Sequence, residues 1–270
     1  AQVAAEQLGT EVDRVQVVTN DTAITPDCES TSASRVTYLS GNAVRLAATK
    51  ARMQVLELAA RDLGCTPEDL KLMNGVVAYR EQGMPLAELF RRHTLHTVTA
   101  VADFMPETSP LDPETGQGSP AGTYSFSVHV AVVEVDEGTG QVRVLRYIAL
   151  GDVGHMINPS VVEGQLRGGV MMGLGYALTE EIKVDEGVVN PSFATYLIPT
   201  TFDVPQELLV DVIEDPEPTG PFGAKGFAEG SLDPVGATIA NAVSNTIGIR
   251  ITRLPMTSER IHELLHQQPV

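Results

Sequence analysis

Helix-like and strand-like periodicities follow one another along this chain without a regular βαβ order. Val3, Ala4, Ala5, Gln7 and Leu8 read as the tail of a helix that Gly9 ends. Nothing caps the start of that helix, so the chain reads as a fragment or as one piece of a split polypeptide. Val15–Val18 reads as a short strand, and the polar run TNDTAITPDCESTSASR as a loop. From about Ser32 to Leu63 apolar residues recur at helical spacing (Val36, Leu39, Ala43, Leu46, Ala47, Ala51, Val55, Leu58, Ala59), which predicts a long helix ended by Gly64. Thr66-Pro67-Glu68-Asp69 has the form of a capped helical turn. Leu70–Arg80 is a hairpin signal centred on Asn74-Gly75, and Pro85–Arg92 a short amphipathic helix.

Met105–Gly122 is rich in Pro and Gly, lacks periodicity and reads as a linker. It divides the chain into a first region, 1–105, and a second, 106–270. Beyond it Tyr124–Val135 alternates strictly, with Phe126, Val128, Val130 and Val132 on an apolar face and His129 on the other. Val142–Leu150 returns after a tight turn, so the pair predicts an antiparallel hairpin. Val161–Leu178 reads as a Gly-rich helix feeding a strand at Ala177–Val184. Then come an irregular stretch (Asn190–Pro205), a strand (Leu208–Ile213), a Gly/Pro loop (Pro216–Gly230), a small-residue helix (Pro234–Ile247) and a last helix (Ser258–His266). The expectation is an α+β fold: two lobes of mixed or antiparallel sheet with packed helices.

Composition narrows the function. The chain has 270 residues, 43% of them hydrophobic and 20% charged, which is globular. Lys and Arg number 18 against 35 Asp and Glu, a net charge of −17 that repels phosphate backbones and anionic membranes. Neither a nucleic-acid nor a membrane partner is expected. No run reaches the roughly 20 apolar residues of a membrane helix, and the first residues lack the pattern of a secretory signal, so a cytoplasmic setting is expected. The cysteines, Cys28 and Cys65, supply neither a disulfide framework nor a four-cysteine cluster site.

Three segments of small residues lie where helices are expected to begin: Ser30–Ser34, Gly164–Gly169 and Gly220–Gly230. Helix starts suit anions, and three such places suggest a large, polar, phosphorylated ligand held by backbone. A serine there can equally be a helix cap, and glycines within a helix can serve close packing. Glu229 is an isolated carboxylate between Ala228 and Gly230. It reads either as an acid placed near a helix dipole or as a carboxylate in a dry pocket, with a raised pKa, suited to act as a base. Lys225 can be its ion partner or bind a phosphate. His262 and His266 have a zinc-compatible spacing without a third ligand.

At these same segments the chain resembles the molybdenum hydroxylases: xanthine dehydrogenase, aldehyde oxidase and the large subunit of carbon monoxide dehydrogenase. The carriers are DTAITPDCESTSASR, GDVGHMINPSVVEGQLRGGVMMGLGYALTEE and GPFGAKGFAEGSLDPVGATIANAV. The resemblance covers nearly the whole chain, as the C-terminal half of the molybdopterin-binding subunit. It implies that Ser32, Ala33 and Ser34 cradle molybdopterin, that Gln165 lies against the pterin or dithiolene and that Gly226 belongs to the same bed. It also implies that Glu229 is the catalytic base beside the metal, with Phe222 and Gly223 on its approach. The metal takes its sulfur ligands from the cofactor, so no protein metal ligand is expected. The implied reaction oxidises an aldehyde or N-heterocycle with water-derived oxygen. The implied partners are the other half of the molybdopterin subunit, iron–sulfur and in some cases FAD-carrying subunits or domains, and a small-molecule substrate. The competing expectation is a non-catalytic structural or assembly module that binds no cofactor alone. The presence of both Gln165 and Glu229 favours the catalytic one.

Overall fold

The computed structural model describes residues 1–190 and 192–266, an α+β arrangement of six α-helices and three small sheets among those residues. Pro191, within the irregular stretch expected at Asn190–Pro205, and 267–270, the end of the expected second region, lie outside the described residues. Two units emerge: 1–123 with 217–225, and 124–216 with 226–270. The stretch Met105–Gly122 thus belongs to the first unit, and the loop at 217–225 returns to it.

In the first unit, helix α1 (Gln2–Leu8) ends at Gly9, whose φ of 65° is left-handed. The strand expected at Val15–Val18 is absent: a 3-10 turn (Val12–Arg14) leads into irregular chain, and Val17 and Val18 are exposed with no neighbouring strand to complete a ladder. Helix α2 runs Val36–Leu63, ended by Gly64 at φ 67°. It starts four residues later than expected because Ala33 and Ser34 have φ of 53° and 50°, which a right-handed helix excludes. Strands β1 (Lys71–Met73) and β2 (Val76–Tyr79) pair about Asn74-Gly75, both with positive φ as a type I′ turn needs. A third strand not foreseen, β3 (Gln82–Pro85), pairs with β2 and leads into α3 (Leu86–Arg92). The core joins Val55, Leu56, Ala59 and Ala60 of α2 to Leu72, Val77, Met84 and Leu89.

In the second unit, β4 (Ser127–Val135) and β5 (Val142–Asp152) form the antiparallel hairpin, with Asp136 closing its turn through bonds to the N–H and hydroxyl of Thr139. A register shift between Val132 and Val133 places an extra residue, Leu145, opposite them. Helix α4 (Pro159–Leu178) is capped by Asn158, whose side-chain oxygen accepts from the Val161 N–H at 3.2 Å. The strand expected at Ala177–Val184 does not form, because α4 claims Ala177 and Leu178. A two-residue ribbon, β6 (Val184–Asp185) with β7 (Val188–Val189), follows instead. Strand β8 (Glu207–Ile213) joins β5 in parallel, giving a mixed sheet of order β4-β5-β8. Helices α5 (Asp233–Ile247) and α6 (Ser258–His266) complete the unit.

The face of β4 that packs inward is not the one that carries Phe126, Val128, Val130 and Val132. Ala131, Val133 and Val135 join the core of Tyr147, Leu166, Val170, Val235 and Ile239, whereas Val128, Val130 and Val132 are exposed. The strand is apolar on both sides, so alternation alone does not choose between them. His129 lies on the inward side. Its Nδ1 stands 2.9 Å from the Tyr147 hydroxyl, and its buried Nε2 has no hydrogen-bond partner among the described residues.

Candidate functional site

The Ser/Ala segment is a tight turn before α2, not a serine cap. Arg35 occupies the N-cap position without a side-chain cap bond. Its guanidinium instead holds the turn from outside, 2.9 Å from the Glu29 carboxylate and 3.2 Å from the Ser30 carbonyl it donates to. Two successive left-handed residues are unusual for non-glycines and bring the chain sharply around. Ser32 and Ala33 are exposed and Ser34 half-buried, so backbone lies open behind short side chains.

The segment expected as a single loop, Gly220–Gly230, splits into two anchored turns. The first, Pro221–Gly223, docks on α2. A Cβ on Gly41 would come within 2.9 Å of the Pro221 ring, so only glycine admits the proline there. Asn42, fully buried, donates to the Thr219 carbonyl at 2.8 Å and the Tyr38 carbonyl at 3.0 Å. The hydroxyls of Tyr38 and Thr219 stand 2.7 Å apart. Phe222 is held at φ 54° and partly exposed. Lys225 is buried, and its charge acts on Glu217. Burial drives the Glu217 carboxyl up, but the bonds from Thr219 and Thr123 and the Lys225 cation outweigh burial and hold it below the ordinary range.

The second turn, Glu229–Ser231, belongs to the second unit and docks there on α4. A Cβ on Gly169 would meet the Ser231 Oγ at 1.9 Å, and one on Gly173 would meet Val235 at 2.4 Å. Only a helix bare of side chains at Gly169 and Gly173 can approach so closely. Phe227 fixes the turn from its other side: Cβ atoms on Gly151 and Gly230 would come within 2.4 Å and 2.8 Å of its ring. The buried Gly226 carbonyl accepts from the Ser125 hydroxyl at 2.7 Å. The Ser231 N–H and hydroxyl both donate to the Ala228 carbonyl, at 3.1 Å and 2.6 Å. The backbone bearing Glu229 is thus tied down on both flanks, while the Glu229 side chain is exposed on this chain. The dry pocket expected around it is not formed by these residues alone.

Gln165 stands one turn before Gly169 on the same row of α4, on the side that meets the Glu229–Ser231 turn, and it too is exposed. Cβ atoms on Gly164 and Gly168 would meet nothing within 4 Å. The glycines of α4 therefore serve two purposes: one row admits Ser231 and Val235, the other leaves open space beside Gln165. This segment lies inside the helix, so the expectation that Gly164–Gly169 is a helix-opening anion loop is corrected: its N–H groups belong largely to the helix ladder. No group of three or more His, Cys, Asp or Glu that could hold a metal occurs among the described residues, and His262 and His266 stack on one another at 4.1 Å. Sequence reasoning did not single out Asn42 and Thr219, the pair that seats the 217–225 segment. An Asn among the apolar positions of a helical row was a signal for Asn42 alone, and nothing in the sequence pointed to Thr219.

A family model described as the molybdopterin cofactor-binding domain matches residues 1–205. The gamma subunit of a 6-hydroxypseudooxynicotine dehydrogenase complex from Paenarthrobacter nicotinovorans is 34% identical over 275 residues, covering 97% of this chain and 33% of that protein. A xanthine dehydrogenase molybdenum-binding subunit from Escherichia coli O157:H7 is 34% identical over 271 residues, covering 98% of this chain and 35% of that subunit. The crystal structure of quinoline 2-oxidoreductase from Pseudomonas putida 86 superposes with a TM-score of 0.84 at 30% identity, over 99% of this chain and 34% of that one. The chain belongs to the molybdopterin cofactor-binding domain family, as part of the molybdopterin-binding subunit of the molybdenum hydroxylases. It spans about a third of the length of the relatives it matches.

Proposed function

We propose that this chain is the part of a molybdenum hydroxylase subunit that carries the catalytic base, in an enzyme that oxidises an aldehyde or an N-heterocycle with water-derived oxygen. Glu229 is that base. Ser32, Ala33 and Ser34 are assigned to the molybdopterin on the strength of their open, short-sided turn, and Gln165 and Gly226 on their place around the Glu229–Ser231 turn. Iron–sulfur clusters, and FAD where it is used, belong to partner subunits or domains, and the isolated chain is inactive.

The residues fit such a cofactor. Gly164 and Gly168 leave open space beside an exposed glutamine, and the acid lies on a turn pinned by Phe227 and Gly169. When bound, the molybdenum cofactor supplies the two-electron redox step. This chain's own residues contribute contacts and a base. The Gln165 amide donates to and accepts from the ligand's polar edge. The Glu229 carboxylate accepts the proton of the oxygen nucleophile through one of its Oε atoms, a general-base role that needs an acid held in place. Exposure in this chain alone fits a site that needs further surface to exclude water.

The observation that carries this reading is the seating of the Glu229–Ser231 turn on the glycine row of α4, one turn from Gln165. Its test is the molybdenum and pterin content of the assembled complex. Ala33→Phe fills the open turn and is expected to abolish molybdenum retention while assembly persists. Unchanged metal content would contradict the cofactor assignment.

A further inference from the structure

A buried polar side chain of the Glu229–Ser231 turn takes no part in the proton transfer. Ser231 is 1% exposed, and its Oγ stands so near α4 that a Cβ on Gly169 would come within 1.9 Å of it. A buried hydroxyl costs free energy unless it is bonded, and once bonded it adds little net stability over a side chain that needs no partner. Alanine would fill nearly the same space. The hydroxyl therefore calls for a reason other than packing, and its acceptor supplies one. It donates at 2.6 Å to the Ala228 carbonyl, which also accepts from the Ser231 N–H at 3.1 Å.

That carbonyl belongs to the peptide joining Ala228 to Glu229. A peptide is planar, so holding its oxygen turns the Glu229 N–Cα bond with it and restricts where the Glu229 side chain leaves the backbone. Ala228, at φ −143° and ψ −68°, is neither helical nor extended, so no regular ladder sets this plane. The chain on either side is fixed by other means. Upstream, the Phe227 ring lies against Gly151 and Gly230. Downstream, the Leu232 N–H donates to the Glu229 carbonyl at 2.8 Å and the Val235 N–H to the Leu232 carbonyl at 3.0 Å. These bonds run the turn into α5, where Val235 and Ile239 are fully buried. We propose that Ser231 is a positioning residue: its hydroxyl orients the Glu229 carboxylate through the Ala228 carbonyl.

The inference rests on the proposed role of Glu229 as base, and a double-mutant cycle in the assembled complex separates the two. Ser231→Ala removes one oxygen where α4 comes closest, so assembly and molybdenum content are expected to stay unchanged. Its kcat is expected to fall about 10-fold at unchanged KM, a part of the about 10²–10⁴-fold that a general base contributes. In the Glu229→Gln background the same substitution is expected to change kcat by less than about 2-fold, because residues that act through one another are not additive. Amide hydrogen exchange gives a readout independent of turnover. The amides at positions 231 and 232 are expected to exchange faster in Ser231→Ala, while those of 170–174 on α4 keep their wild-type rates. Equal falls of kcat in both backgrounds, or loss of molybdenum or of assembly, would show that the hydroxyl serves the fold and overturn the inference. Unchanged exchange would overturn it as well. Full turnover in Ser231→Ala beside an impaired Glu229→Gln overturns the inference alone. Near-normal turnover in Glu229→Gln at full molybdenum overturns the functional reading and the inference with it.

Discussion

Asn42 and Thr219 stand 177 positions apart in sequence, yet the Asn42 amide donates to the Thr219 carbonyl at 2.8 Å in the interior of the first unit. The same amide nitrogen also donates to the Tyr38 carbonyl, one turn earlier on α2. One side chain therefore seats the returning segment 217–225 on the helix that the Ser/Ala turn introduces. Gly41 makes the seat possible by admitting Pro221.

Replacing Asn42 with Leu removes a donor and leaves the Thr219 carbonyl without it. A buried acceptor stripped of its donor costs about 1–3 kcal/mol. Asn42→Leu is expected to lower unfolding stability by about that amount, read from the urea midpoint. An unchanged midpoint would show that the 217–225 segment is held by other contacts.

Two neighbouring glycines of α4 are expected to respond in opposite ways. Gly168 faces open space, so Gly168→Ala gains helix propensity, worth up to about 1 kcal/mol, and the fold is unharmed. At Gly169 the new methyl group would meet Ser231, including its backbone, so Gly169→Ala costs about 1–3 kcal/mol of overpacking and displaces the turn bearing Glu229. Thermal unfolding of both variants in the same background checks this. Equal responses would contradict the packing of α4 on the Glu229–Ser231 turn.

His129 makes the second unit sensitive to acid. Burial depresses its pKa below the ordinary value of about 6.5. Protonation would place a charged, unpartnered Nε2–H in the interior. Because the folded pKa is the lower one, the stability due to neutral His129 is complete above the unfolded pKa. It is lost as pH falls from there through the folded pKa. Between pH 7 and pH 5 the wild type is expected to lose more stability than His129→Asn, which does not titrate. Parallel curves for the two proteins would rule out His129 as the source.

Much of the local structure was legible in the sequence because its signals are local. Gly9 and Gly64 end helices where a left-handed residue is needed, and Asn74-Gly75 turns a hairpin. The inward face of β4 was not legible, since valines occupy both sides and only the placement of α5 decides. Val15–Val18 has strand composition, yet strand formation needs a partner that no local pattern supplies. At the site, small residues marked the right segments without saying what each is for. Gly169 and Gly173 serve close packing and Gly164 and Gly168 leave space, a distinction set by which row faces Ser231 and Val235. The Asn42–Thr219 bond was out of reach because it depends on a return of the chain after nearly the whole second sheet has been built.

The most direct test of the account is the activity of Glu229→Gln in the assembled complex, with molybdenum measured in the same sample. The substitution preserves size and removes the proposed base, and the turn's packing through Phe227 and Ser231 is expected to stay intact. General-base catalysis contributes about 10²–10⁴-fold, and a carboxylate on a turn tied at both flanks is expected toward the upper end. The account predicts a fall in kcat/KM of that order with molybdenum content unchanged. Near-normal turnover at full molybdenum content would contradict it.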